Sequence, residues 1–389
     1  MKQSLRGGAG IERSLTIAAA VLAGVTIVAM LILRPSGRFP RADDIESFGR
    51  LYDATIVTLE RGPCPDVPGG GDADCLIGAL LIQDGPDAGA TIELDLPEKL
   101  GDGRLGAGDA IVVVHYTNPE AIEAGVEYQF ADRDRKPALT LLVVLFALAV
   151  VALGRLRGLA SLAGLAASLA ILIAFILPSI LEGKAPLLVA VTGASAIAFI
   201  ALYAAHGISA RTTVALLGTI ASLALTALLG TMFSGVARLT GLISEEVPFL
   251  QLSAGSIDFE GIFLAGLVIG ALGALDDMTV TQSSVVWELR AAGLTDRREL
   301  FRSAMRVGRD HVSSTVNTLA LAYAGASTTL LLLFVLSGER IAQIGNGEIV
   351  ATEIVRTLVG SIGLVASVPI TTALAVRLAH SPIVSESTA

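Results

Sequence analysis

The sequence predicts an α-helical polytopic membrane protein, with about eight transmembrane helices and one small all-β domain, a barrel or sandwich, inserted after the first helix. Three observations carry this. The mean hydropathy is +0.71, with 53% hydrophobic and only 16% charged residues, whereas a soluble domain carries about 25% charged. The charge deficit is uneven: residues 34–137 hold 10 Lys/Arg and 20 Asp/Glu, and the other 285 residues hold 17 and 16. Apolar runs of bilayer-crossing length recur everywhere outside that acidic stretch.

The first run, 15–33 (LTIAAAVLAGVTIVAMLIL), is uncharged and preceded by Lys2, Arg6 and Arg13. Its length is close to the roughly 20 residues that cross a bilayer. A cleaved signal peptide would have a shorter apolar core and a small-x-small site. This run instead ends in LILRPSGRF, so a retained signal anchor is expected. Residues 1–33 are thus a short N-terminus and the first helix.

Residues 34–137 read as an acidic β-domain. DATIVTLE (53–60), CLIGALLIQDG (75–85), GATIELDL (89–96) and DAIVVVHYT (109–117) are short, β-branched and bounded by Gly, Pro and Asp, which are strand signals. Asp109 follows a tight turn, Leu105-Gly106-Ala107-Gly108. Cys64 and Cys75 bracket PDVPGGGDAD, a loop too polar to pack. In an oxidising compartment a disulfide between them is the expected staple. A metal site needs more ligands than these two thiols and scattered carboxylates supply.

Seven further runs, at roughly 138–154, 158–181, 185–205, 212–235, 261–286, 312–336 and 357–376, make a helical domain over 138–378, with 379–389 as a tail. Backbone polar groups in lipid pair within their own segment, so these runs should be helices. The loops 1–14, 154–158, 204–211, 287–311 and the tail from Arg377 carry 13 Lys/Arg. The opposite short loops, 178–186, 235–260 and 337–356, carry 4. The positive-inside rule then puts both termini in the cytoplasm and residues 34–137 outside the cell membrane. Arg34, Arg38 and Arg41 pull the other way locally.

Within the sixth run (GIFLAGLVIGALGALDDMTVTQSSVVWELR, 261–290) the Gly266/Gly270 pair and Gly273 permit close helix approach, and Asp276 and Asp277 follow. A helix starting at Gly261 reaches them after about 22 Å, inside the roughly 30 Å hydrocarbon core. At 100° per residue Asp277, Thr281, Ser284 and Glu288 fall within about 60° of one another. They form one polar stripe towards the inner surface, while Asp276 points elsewhere. Ionisable groups at membrane depth mark ion, proton or solute paths. An earlier helix start would instead leave the pair hydrated at the interface.

In the seventh run Asn317 and Tyr323 either face the aspartates or make plain interhelical contacts. Thr212, Thr219 and Thr226 share one face of the fifth run, near His206 and Arg211 at its inner end. Such hydroxyls commonly bond back to their own helix. The segment 288–310 reads as a helix capped by Thr295, with Leu300, Ala304 and Val307 on its apolar side. It either lies on anionic lipid or docks a cytoplasmic partner. Glu245 and Glu246 are expected to face water.

Several chemistries lack their motifs. There is no GxxxxGK[ST] loop, and neither HExxH nor GxSxG is present. GALD (273–276) is not the Gly-x-Gly-Asp of intramembrane aspartyl proteases, whose aspartates lie on different helices. The acidic balance and the lack of basic clusters near aromatics argue against nucleic acid as a partner. No catalytic residue, metal or cofactor is called for.

GLVIGALGALDDMTVTQSSVVWEL, RELFRSAMRVGRD and NTLALAYAG, with GDAIVVVHYT and YQFADRDRKPAL upstream, resemble the YibE/F-like family of bacterial membrane proteins over roughly 45–378. The resemblance implies the multi-pass architecture and no particular activity. Its position after the first Asp is usually apolar, so Asp277 departs from the pattern and the resemblance favours Asp276, whereas the stripe favours Asp277. Two function classes follow. One is a transporter or permease for a small solute or ion, with site candidates Asp276, Asp277, Thr281, Ser284, Glu288, Asn317 and Tyr323. The other is a non-transporting sensor or assembly factor whose β-domain binds a ligand or partner.

Overall fold

A computed structural model describes residues 2–37, 49–63, 74–97, 105–123, 126–242, 250–251, 257–337 and 341–379. The chain divides into two compact units, one of Pro40–Ala149 and one of Met1–Phe39 with Val150–Ala389.

The smaller unit holds a five-stranded antiparallel sheet in the order β3-β2-β1-β4-β5. Its strands are β1 (Arg50–Pro63), β2 (Asp74–Ile82), β3 (Thr91–Leu96), β4 (Ala110–His115) and β5 (Tyr128–Arg133), with a short helix α2 (Pro119–Glu123) before β5. The first four are the strands read from the sequence, and β5 was not foreseen. Ala54 pairs with Ile82 on one side and Ile111 on the other. A bulge between Ile56 and Thr58 bends the long central strand. The sheet curls into a half-barrel around Ala54, Ile56, Leu80, Ile82, Leu96, Ile111 and Val113, so the expected barrel or sandwich is an open one with β3 and β5 as its edges. Beside this core the Tyr128 ring stacks on His115 at 4.4 Å and donates to the Asp87 carboxylate at 2.5 Å. Burial and that carboxylate push the Tyr128 phenol upward.

Cys64 lies outside the described residues, as do Glu245 and Glu246. Cys75 is the second residue of β2, opposite Gly62.

The larger unit is helical: α1 (Lys2–Ile32), α3 (Lys136–Ile171, begun in the smaller unit), a π-helical turn (Leu172–Ile176), α4 (Leu177–Leu181), α5 (Pro186–His206), α6 (Ala210–Ala237), α7 (Phe259–Ala291), α8 (Arg297–Ala326), α9 (Thr328–Ser337), α10 (Ile341–Asn346) and α11 (Glu348–Leu378). Among the described residues six helices are long and apolar enough to cross a membrane, or seven if α8 and α9 count as one bent span. The second and third runs of the sequence are continuous as Lys136–Leu181, broken by a left-handed Arg155 (φ 52°). Just past the break, a Cβ on Gly158 would lie 2.3 Å from the Val150 carbonyl oxygen, so the chain bends sharply back there.

Local chemistry sets the helix starts. Ser209, Asp258 and Asp296 cap α6, α7 and α8 by accepting from Thr212, Gly261 and Glu299 backbone N–H groups, a role for which such side chains are suited. The cap of α8 is therefore Asp296, one residue beyond the expected Thr295. The segment 288–310 is not a separate interfacial helix. It holds the end of α7 and the first turns of α8, where Leu300, Ala304 and Gly308 are buried and Val307 is exposed. The expected seventh run breaks at Ser327, where α9 departs from α8 at 66°.

Two clusters form the core of this unit. Phe175, Ile176, Val189, Leu216, Leu223, Leu267, Val268, Leu275, Met278, Leu364 and Val368 pack mainly from α5, α6, α7 and α11. Leu15 of α1, Leu300 and Ala304 of α8, and Val214, Val286, Ala375 and Val376 towards the other end of α6, α7 and α11 form the second. The carbonyl just past α1 is taken by α4 and the turn after it: Ser179 Oγ and Lys184 Nζ donate to the Leu33 oxygen at 2.7 and 3.1 Å.

Candidate functional site

Where α6, α7 and α11 meet, the interface is polar. Thr219, Ser222 and Thr226 on α6, Thr279, Gln282 and Ser283 on α7, and Ser367, Thr371 and Thr372 on α11 are all buried. The helices approach closely because glycines face hydroxyls. A Cβ on Gly218 would lie 2.2 Å from Thr371 Oγ1, and one on Gly363 would lie 2.0 Å from Thr226 Oγ1.

Direct bonds stitch the seam. The Thr219 and Thr279 hydroxyls are 2.7 Å apart. Gln282 Nε2 donates to the Ala304 carbonyl at 3.0 Å and to Thr372 Oγ1 at 2.7 Å, tying α7 to α8 and α11. Ser283 Oγ donates to the Arg211 carbonyl at 2.9 Å.

Asp276 enters this seam. Thr279 Oγ1 donates to its backbone carbonyl, and the Thr219 hydroxyl approaches its carboxyl. Its Oδ1 is buried and unpartnered, as are Ser222 Oγ and Thr371 Oγ1. Contact pairs fix their levels. Helices α6 and α7 are antiparallel, so stepping three residues from the Thr219–Thr279 contact sets Ser222 level with Asp276. Helices α6 and α11 are also antiparallel, so stepping four from Gly218–Thr371 sets Ser222 level with Ser367. Two orphaned oxygens, one of them a carboxylate's, therefore share one layer, and Thr371 lies about one turn away. Buried polar atoms are nearly always paired, so these oxygens are exceptions within the seam.

The profile of the family described as YibE/F-like protein matches residues 142–381. The chain belongs to the YibE/F-like family. No curated protein and no solved structure matches it. The match covers most of the helical unit, seam included, and none of the five-stranded sheet.

In this YibE/F-like protein the residues expected to act together are divided. Asp277 is 70% exposed, and its Oδ2 lies 3.9 Å from His311 Nε2. Thr281 and Ser284 are half-buried and Glu288 is exposed, so the stripe headed by Asp277 runs along the outer face of the helix cluster. Asn317 is exposed on α8, and Tyr323 is half-buried with its hydroxyl beside Gly270. Neither joins Asp276. The 100° between consecutive helical residues separates the two aspartates: Asp276 faces inward, and its acidic neighbour faces out. Thr212, Thr219 and Thr226 do face the seam. Thr226 bonds back to the Ser222 carbonyl at 2.9 Å, whereas Thr219 reaches across to α7. The α11 hydroxyls and Gln282 were missed by sequence reasoning. The one available signal was the density of Ser and Thr in SIGLVASVPITTALAV (361–376).

Proposed function

We propose that this chain is a membrane transporter or permease for a small solute or cation, with Asp276 as the charged centre of its path. The observation that carries this is the layer of Ser222 and Asp276, with an unpartnered carboxylate oxygen among fully buried hydroxyls. A carboxylate at membrane depth is costly unless a proton, a cation or a polar solute meets it. Thr219 supplies a neutral oxygen beside it, with Ser222 and Ser367 at its level and Thr371 about one turn away. Asp277, on the outer face, is not part of that centre.

The reading includes a topology. Lys136–Leu181, at 46 residues, is about 69 Å long at 1.5 Å per residue, more than twice the roughly 30 Å core. Counting it as two spans across Arg155, and α8 with α9 as one, gives eight. Both termini then lie in the cytoplasm, and residues 34–137 lie outside. There a Cys64–Cys75 disulfide closes the hairpin of β1 and β2, whose last described pair is Pro63 with Asp74.

Flux into proteoliposomes holding the full-length protein tests the proposal, with imposed gradients of protons, monovalent cations and divalent cations. Asp276→Asn should abolish whatever flux the wild type shows, and Asp277→Asn should leave it. Equal loss in both variants would refute the assignment. Absence of any wild-type flux would favour the sensor or assembly-factor reading, for which the half-barrel speaks: its edge strands β3 and β5 lie near each other without pairing, and an unpaired edge accepts a partner strand.

A further inference from the structure

At the end of the helical unit where α8 begins and α11 ends lies a cleft of about 400 Å³ that the seam does not use. Arg297, Arg298 and Arg302 from the first turns of α8 and Arg377 from the last turn of α11 line it, and Phe301 and Val376 supply apolar wall. None of the four arginines forms an ion pair among the described residues. The carboxylates of the same turn, Asp296 and Glu299, form no ion pair with them; Asp296 caps the helix by accepting from the Glu299 N–H at 2.8 Å.

All four arginines are exposed, so water screens part of their mutual repulsion. Four like charges converge on one opening, and three of them stand at the positive end of a helix dipole, where anions are favoured and cations are not. Val376 is buried and Phe301 half-buried, so the wall beneath the guanidinium groups is packed into the helix cluster. Guanidinium forks match phosphate oxygens two at a time, and the apolar wall suits a carbon chain attached to the phosphate.

We propose that this cleft binds a phosphate-bearing anion, either the headgroup of an anionic phospholipid or a soluble phosphate compound. The site is independent of the path through Asp276. Binding completes the start of α8, the helix that Gln282 ties to α7.

The test uses full-length protein stripped of lipid in neutral detergent at low salt. Thermal unfolding is followed by fluorescence of Trp287, the single tryptophan. The probes are short-chain phosphatidylglycerol, short-chain phosphatidylcholine and pyrophosphate. Saturable stabilisation by phosphatidylglycerol and not pyrophosphate identifies a lipid headgroup, and the reverse identifies a soluble anion. Either supports the site, provided Arg298→Gln with Arg302→Gln weakens binding by about tenfold or more. Arg309→Gln, exposed on the same helix and outside the cleft, should leave binding unchanged. The pair Arg298→Lys with Arg302→Lys keeps the charge and loses the fork, so it should fall between; it also replaces the glutamine pair if that pair unfolds early without ligand. No saturable effect from either phosphate probe overturns the proposal. So does a response equal to that of phosphatidylcholine, or equal weakening by Arg309→Gln.

Discussion

Replacing Gly363 by alanine is the sharpest test of the seam. The new Cβ would lie 2.0 Å from Thr226 Oγ1, 3.3 Å from its Cβ and 3.7 Å from its Cγ2. Thr226 is fully buried, and its hydroxyl is held on the Ser222 carbonyl at 2.9 Å, so it cannot swing aside without losing that bond. Overpacking of this kind costs about 1–3 kcal/mol. Removing the hydroxyl and methyl with Thr226→Ala leaves only the 3.3 Å contact, which a shift of a few tenths of an ångström relieves. The double variant should therefore recover about 1–2 kcal/mol relative to the sum of the singles, the range expected for residues in direct contact. Thermal unfolding in detergent, read by Trp287 fluorescence, gives the order of the four proteins, at about 2–4 °C per kcal/mol for a unit of some 150–250 residues. Gly363→Ala unfolding with the wild type, or strict additivity in the double variant, would mean that α6 and α11 do not meet at these residues. The level of Ser222 with Ser367 would then be lost as well.

Gln282→Leu, nearly isosteric, should cost only about 1–2 kcal/mol in the same assay, because interhelical hydrogen bonds in membranes average about 0.6 kcal/mol each; a loss above 4 kcal/mol would show that the side chain does more than link three helices. Reporter fusions after Arg157, Lys184 and Ala292 should read cytoplasmic, external and cytoplasmic, and an external signal at Ala292 would invert the topology. Mass analysis of alkylated protein under non-reducing conditions should find Cys64 and Cys75 joined, a bond worth about 3 kcal/mol for a loop near this length, and two alkylated thiols would exclude it. Leu80→Ala, at a fully buried position of the half-barrel core, should destabilise that unit by about 2–5 kcal/mol, while Val57→Ala, exposed on the same sheet, should cost little.

Much of the architecture was legible because it rests on composition and period. Four strands carry runs of β-branched residues between turn signals, and the apolar runs fall on the observed helices. Strand β5 escaped because YQFADR offers only Tyr128 and Phe130 as an alternating apolar pair, followed at once by charge. The break at Ser327 escaped because apolar content continues unchanged through it, and periodicity does not record a change of direction. The start of α8 was found to within one residue, yet its Arg-rich half was separated from the helix that follows, since charge density looks like a loop when burial is unknown.

The candidate site was half legible for a related reason. A stripe along one helix can be computed from spacing alone, and Asp277, Thr281, Ser284 and Glu288 do share a face. Spacing does not say whether that face meets another helix. The face that does meet α6 and α11 carries Leu275, Met278, Thr279, Gln282 and Val286, a mixed set with no polar period of its own. Its polarity emerges only when Thr219 from α6 and Thr372 from α11 are brought against it. Gly218 and Gly363 permit that approach, and each faces a threonine on the opposite helix. A purely structural helix contact could place a methyl group in those positions. A hydroxyl opposite a glycine, repeated on both sides of the layer holding Ser222 and Asp276, places an oxygen atom about one turn to either side of that layer.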